Sequence, residues 1–246
     1  MGGPGSDLGK PAGSIAPIMY WQEDTKNNTP NVTDDVVDLV FTLRCKCLPV
    51  DHVYSLFEAV QIVLPWLQEE PVAGLHAVNV AASGNGWVRP GDPHALLHLS
   101  KRTRFELRVP RHRIADAKKL AGKKLDVCGY VFELCSVSER HLSPVTTLFS
   151  RHLVAERELT EEEDVLNWVS AQLTEQGITP RKMLCGIRHS INIPEKNIGT
   201  RSLMIAGLEA EESLWLQQHG LGPYRHLGCG LFIPHKNITD LRKEKD

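Results

Sequence analysis

Near the C-terminus four glycines fall within eleven residues, Gly220-Leu-Gly222-Pro-Tyr-Arg225-His226-Leu-Gly228-Cys-Gly230, with an arginine and a histidine among them. Glycine frees the backbone to approach another surface, and guanidinium suits phosphate, so the loop reads as a grip for a polyanion. Its backbone N–H groups can add a nest for phosphate, and His226 adds a proton donor. Near the other end, His52 follows a Pro-Val-Asp turn at the start of an expected helix. Imidazole titrates near neutral pH, which makes His52 the leading general acid/base candidate. Tyr54 and Lys46 flank it as secondary candidates. Each has a plainer reading as well: His52 as a capping or surface histidine, Tyr54 as helix packing, Lys46 as a solvated strand residue, and the glycines as a tight structural turn.

Charge supplies the next clue. Net charge is -2 over 246 residues, yet Lys101 to Lys124 holds ten Lys or Arg against Glu106 and Asp116, and Arg181 to Arg201 holds five against Glu195. Seven acids collect between Glu156 and Glu175. Segregation of this kind gives a basic face on a nearly neutral protein, the footprint of phosphate binding. Arg102, Arg104, Arg108, Arg111 and Arg113 are expected to line a track for nucleic acid, extended by Arg181, Lys182 and Arg188. Alternation separates Arg104 and Arg108 from Phe105 and Leu107, so one face is basic and the other core.

Several function classes fall away. Gly220-x-Gly222 follows a helix and precedes a strand, opposite to a dinucleotide-binding turn, and neither a P-loop, a Gly-x-Ser-x-Gly elbow nor H-E-x-x-H is spelled anywhere. The six cysteines form no C-x-x-C pair, and Cys45 and Cys47 read as same-face strand residues, so free thiols in a reducing cytoplasm are expected rather than zinc ligands. No metal or other cofactor is expected. Residues 1–33, rich in Gly, Pro, Asn and Ser, read as a flexible arm without a secretory signal or membrane span, and 239–246 as a charged tail.

The elements that must position these residues come in a repeated order. Val36 to Leu48 reads as a strand, ended by Pro49; Asp51 is expected to cap a helix through Leu67. Leu75–Ala81, Ala95–Leu99 and Arg104–Val109 read as strands, Arg113–Leu120 as a basic helix, and Leu125–Leu134 as one or two closing strands. Leu148–Val154, a helix opened by Thr160, Met183–Ile193, Thr200–Leu208, a helix over Glu209–His219 and a last strand Gly230–Ile233 repeat the order β-α-β-β-α-β. The fold class expected is α+β, with tandem ferredoxin-like (RRM-like) domains at 34–143 and 144–238, the second carrying the glycine-rich loop.

A tandem pair of this kind with such a loop resembles the repeat-associated superfamily of CRISPR proteins, and more narrowly the CRISPR repeat-RNA processing endoribonucleases in their MYXAN-type variety. The residues that carry the resemblance are Val37-Asp-Leu-Val-Phe, Leu48-Pro-Val-Asp-His52 with Tyr54 and Leu56, Leu64-Pro-Trp-Leu67, Leu120-Ala-Gly-Lys-Lys-Leu-Asp126, and His219-Gly-Leu-Gly through Phe232-Ile-Pro-His-Lys236. It implies a metal-independent cut within each repeat of a precursor transcript, by attack of the ribose 2'-OH on the adjacent phosphate, with His52 at the family's catalytic position. It implies CRISPR repeat RNA and guide RNA as partners, with retention on the repeat stem, other subunits of a type I complex, and no membrane. The RNA-contacting set would be the arginine track together with Gly220, Gly222, Arg225, His226, Gly228 and Gly230. A non-catalytic RNA-binding subunit of such a complex is the alternative.

Overall fold

Val37, Leu39 and Phe41 alternate along the first strand, and each sits opposite an apolar residue of a later one, Val109, Leu107 and Phe105. That register builds the first core, where Phe105 meets Phe41 and, edge-on, Phe132. The computed structural model describes residue 1 and residues 35–80, 92–155, 159 and 161–235. The expected tail, most of the arm and the end of the Leu75–Ala81 strand lie outside the described residues.

The first half runs β1 (Val36–Arg44), β2 (Cys47–Pro49), α1 (Val53–Val63), β3 (Gly74–Leu75), β4 (Leu96–His98), β5 (Arg104–Pro110), α2 (Ile114–Ala117), β6 (Lys124–Val127) and β7 (Tyr130–His141). Five of these strands form one sheet in the order β3-β5-β1-β7-β6, while β2 pairs with β4 in a two-stranded ribbon. The second half runs β8 (Thr147–Leu153), α3 (Glu162–Glu175), β9 (Lys182–Ile193), β10 (Lys196–Ala206), α4 (Ala210–His219) and β11 (Ile233–Pro234), with sheet order β11-β8-β10-β9. Every strand pairing is antiparallel. The chain is thus a mixed α+β fold of several antiparallel sheets. Among the described residues no helix is long and apolar enough to cross a membrane.

Local chemistry moved several boundaries. The first strand breaks at Cys45 and Lys46, so Cys45 and Cys47 are not partners on one strand; Cys45 Sγ instead donates to the Cys47 carbonyl. Helix α1 stops at Val63 because Pro65 cannot continue its hydrogen bonds, and a 3-10 turn covers Pro65–Gln68. The expected basic helix is three short pieces, Arg111–Arg113, Ile114–Ala117 and Lys118–Leu120. Asp51 does not cap α1; its carboxylate accepts from Asn192 Nδ2 at 2.6 Å, and His52 occupies the N-cap without a side-chain cap bond.

The two halves interlock. Ile191 of β9, Ile198 of β10, and Leu227 and Cys229 of the C-terminal loop are all buried in the first half's core. A hairpin and a loop of one half therefore plug the other.

Candidate functional site

The seam between the halves is built from arginines. Asp38 lies directly across from Arg108 on β5 and Arg140 on β7. Arg108 Nε and Nη2 donate to the two Asp38 oxygens at 2.8 and 3.0 Å, and Arg140 Nη2 donates to Asp38 at 3.1 Å. Arg108 Nη1 donates onward to the carbonyls of Gln217 and Phe232 at 2.7 and 2.9 Å. Arg225 donates to the carbonyls of His219, of Val72 at 2.8 Å and of Gln218 at 3.0 Å. The last carbonyls of a helix lack internal partners and carry the negative end of its dipole, so two arginines converging on residues 217–219 satisfy the C-terminus of α4.

This corrects two expectations. Arg108 is 0% exposed and Arg225 9%, so neither guanidinium faces a nucleic-acid track. Burial lowers the Arg225 pKa, and the Arg108 charge lowers it further. The rest of the track divides. Arg102, Arg104 and Arg111 are exposed at opposite ends of β5, while Arg113 is bonded to Glu70 at 3.3 Å and lies over the Trp66 ring. In the second half Lys182 and Arg188 are exposed on β9, and Arg181 is paired with Glu209 at 3.1 Å.

The glycine loop is folded for closure. Gly220, Gly222, Gly228 and Gly230 all have φ between 66 and 82°, where a side chain is strained. A Cβ on Gly230 would strike the Leu221 carbonyl, one on Gly222 the Val154 carbonyl, and one on Gly228 would come within 2.7 Å of the Leu75 carbonyl of β3. Gly230→Ala should therefore lose at least about 1–2 kcal/mol of stability from the left-handed conformation alone. Chemical denaturation measures this, and an unchanged midpoint would free the glycine for a role in RNA contact only.

His52 is 0% exposed. Its Nδ1 lies 2.8 Å from the Pro49 carbonyl and its Nε2 accepts the Val78 N–H at 3.2 Å, which fixes the neutral tautomer with the proton on Nδ1. In this arrangement His52 presents no ring nitrogen to solvent. Tyr54 is partly exposed in the first turn of α1; desolvation, then the Glu58 and Glu195 carboxylates, raise its phenol pKa, so it is a donor at neutral pH. Lys46 is exposed in the break between β1 and β2.

His226 lies against α1, its ring 4.8 Å from Phe57 and 6.2 Å from Tyr224, and burial lowers its pKa. Tyr224 holds a left-handed φ of 66° and takes a 2.7 Å hydrogen bond from Lys196 Nζ at the tip of the β9–β10 hairpin. The α1 N-terminus, the loop and the hairpin thus meet, bringing Tyr224, His226 and Lys196 to one surface.

The family model described as "Cas6 Crispr" matches residues 37–237. The chain belongs to the Cas6 family. It is 32% identical over 198 residues to the CRISPR-associated endonuclease Cas6 of Myxococcus xanthus (strain DK1622), an alignment covering 80% of this chain and 81% of that one. Among solved structures, one titled "CRISPR associated protein Cas6" superposes with a TM-score of 0.56 at 10% identity, covering 82% of this Cas6-family chain and 100% of that one. Another, titled "An RAMP protein binding different RNA substrates", gives a TM-score of 0.55 at 14% identity, covering 80% and 98%. At such identities the two structures speak for the fold alone.

Sequence reasoning passed over Asp38, Tyr224 and Lys196. An acid inside an otherwise apolar strand is a signal for a buried ion pair, and Asp38 carried it. Nothing in the spelling marks the left-handed Tyr224. Asp38, His76 and Glu106 also bring ligand-type atoms within 4.8 Å of one another, but Arg108 and Arg140 already hold the two carboxylates.

Proposed function

We propose that this chain is a metal-independent endoribonuclease that cuts CRISPR precursor RNA within its repeats and stays on the repeat stem. The observation that carries the reading is the 32% identity over 198 residues to an endonuclease of the same family, and the family model's match over residues 37–237 takes in both the His52 segment and the loop. The ribose 2'-OH attacks the neighbouring phosphate, the 5'-oxygen leaves, and the product ends are a 2',3'-cyclic phosphate and a 5'-hydroxyl. His52 moves the proton once the Val78 N–H releases its Nε2, Tyr54 orients the reacting group, and Lys46 with the loop and hairpin offers positive charge near the phosphate.

Two ferredoxin-like units, 34–143 and 144–238, frame this chemistry. The repeated order β-α-β-β-α-β supports that division, as does the matching placement of strands, β3-β5-β1-β7 in one half and β9-β10-β8-β11 in the other. Other type I complex subunits are natural partners for a protein that keeps its product.

A second reading is favoured by one observation. His52 has both ring nitrogens engaged and no exposed surface, which fits a non-catalytic RNA-binding subunit. Incubation of the purified protein with labelled repeat RNA in EDTA separates the two. Cleavage leaving a cyclic phosphate and a 5'-hydroxyl is the expected result, whereas intact, tightly bound RNA would establish the second reading.

A further inference from the structure

A cyclising cut needs two proton movements at one phosphate: the 2'-OH must lose a proton and the departing 5'-oxygen must gain one. His52 is arranged for the first alone. Its proton sits on Nδ1 against the Pro49 carbonyl, and Nε2, which carries the lone pair, is an acceptor. A donor is therefore required from another residue. Two nearby groups fit that role poorly. Burial lowers the His226 pKa, so its ring is neutral at pH 7, and it lies against Phe57. Desolvation, then Glu58 and Glu195, raise the Tyr54 pKa and make that phenol a weaker acid.

Tyr224 is different. Its φ of 66° is left-handed, a conformation that a bulky side chain keeps only where its surroundings over-determine it, and such outliers gather at working sites. The surroundings here are firm. The next residue, Arg225, is bonded to the carbonyls of Val72, Gln218 and His219. Gly228 packs against the Leu75 carbonyl, in the segment that runs on to Val78 and so to His52.

The Tyr224 hydroxyl accepts from Lys196 Nζ at 2.7 Å, and among the described residues it has no acceptor for its own proton. Lys196 is placed by the β9–β10 hairpin, which is tied to the residue before His52: Asn197 donates to Asn192 at 2.5 Å, and Asn192 to Asp51 at 2.6 Å. Tyr224 and Lys196 both line an open pocket of about 340 Å³, so a substrate can reach the hydroxyl. An ammonium donating to a phenol oxygen stabilises the negative charge that builds there as the phenol gives up its proton. We infer that the Tyr224 hydroxyl gives the proton to the departing 5'-oxygen, with Lys196 as the positioning residue that holds the phenol and stabilises the phenolate. This rests on the endoribonuclease reading above. The step balances: the 2'-oxygen bonds to phosphorus as its proton passes to His52 Nε2, the bond from phosphorus to the 5'-oxygen breaks, and the Tyr224 proton goes to that oxygen. Exchange with water resets both groups.

Single-turnover cleavage by the full chain tests this on two repeat RNAs, one ordinary and one with sulfur replacing the bridging 5'-oxygen at the scissile phosphate. A thiolate leaves without needing a proton. Tyr224→Phe should slow the ordinary substrate about 10²–10⁴-fold, cut the sulfur substrate at the wild-type rate, and bind 2'-deoxy repeat RNA as tightly as wild type. Lys196→Met should slow the ordinary substrate about 10²-fold with the same recovery on sulfur, and it carries the test if Tyr224→Phe does not fold. An equal loss on both substrates, or no loss on either, overturns the assignment and leaves the function standing. Failure of the wild-type protein to cut either substrate overturns the function as well.

Discussion

Arg108→Ala should lose about 3–5 kcal/mol of folding stability, seen as a lowered midpoint in chemical denaturation. The guanidinium is 0% exposed and makes four hydrogen bonds, two to Asp38 and two to carbonyls of the other half. Its removal leaves Asp38 buried with the half-exposed Arg140 at 3.1 Å and His76 at 3.6 Å, and strips partners from the end of α4. Arg108→Lys should recover little, because one ammonium cannot span both carboxylate oxygens and both carbonyls. The pair also sets an acid limit. Burial by itself would raise the Asp38 pKa, but the Arg108 charge and then His76 hold it well below 3.8. A depressed folded-state value means stability that is complete above the unfolded value and is lost as pH falls below about 4 toward the folded one. The wild-type protein should lose stability through that window and Arg108→Ala should lose less. A variant within 1 kcal/mol of wild type would return Arg108 to an outward, RNA-facing role.

His52→Ala should slow single-turnover cleavage about 10²–10⁴-fold while repeat RNA still binds. The residue also closes two hydrogen bonds, so a fall in stability by itself is not diagnostic. The decisive readouts are chemical. With wild-type protein, the Val78 amide should exchange faster in deuterated water once RNA is bound, since proton transfer requires Nε2 to be released. With wild-type protein and 2'-deoxy RNA at the scissile position, no cut should form. Near-normal cleavage by His52→Ala would remove the histidine from the mechanism, and cleavage of the 2'-deoxy substrate would remove the nucleophile.

The alternation along β5 separated Arg108 from Phe105 and Leu107, and the structure keeps that separation. What periodicity cannot tell is what covers the far face. A strand pattern distinguishes two sides of a sheet, and here the side opposite the core is roofed by the C-terminus of α4 rather than by water. The same ambiguity hid the fate of Arg225, since a cation among glycines suits helix carbonyls as well as phosphate. Most helices and strands were legible because proline, glycine and apolar spacing act locally. The contacts that define the site were not: Asp51 with Asn192, His52 with Val78 and Tyr224 with Lys196 join residues far apart in the chain, and no local rule pairs them. Lys196 lay inside a basic stretch without standing out from it.

Part of the cap of one half's last helix is an arginine in the middle of the other half's sheet. A helix end is ordinarily finished by residues next to it in sequence, and so travels with its own segment through duplication or exchange. Here Gln217 and Arg108 are 109 residues apart. The two halves share a strand order, yet neither is a spare part for the other: a transplanted C-terminal half would keep Arg225 on the carbonyls of Gln218 and His219 but arrive with that of Gln217 unpartnered, and any host would have to supply the missing arginine from its own core.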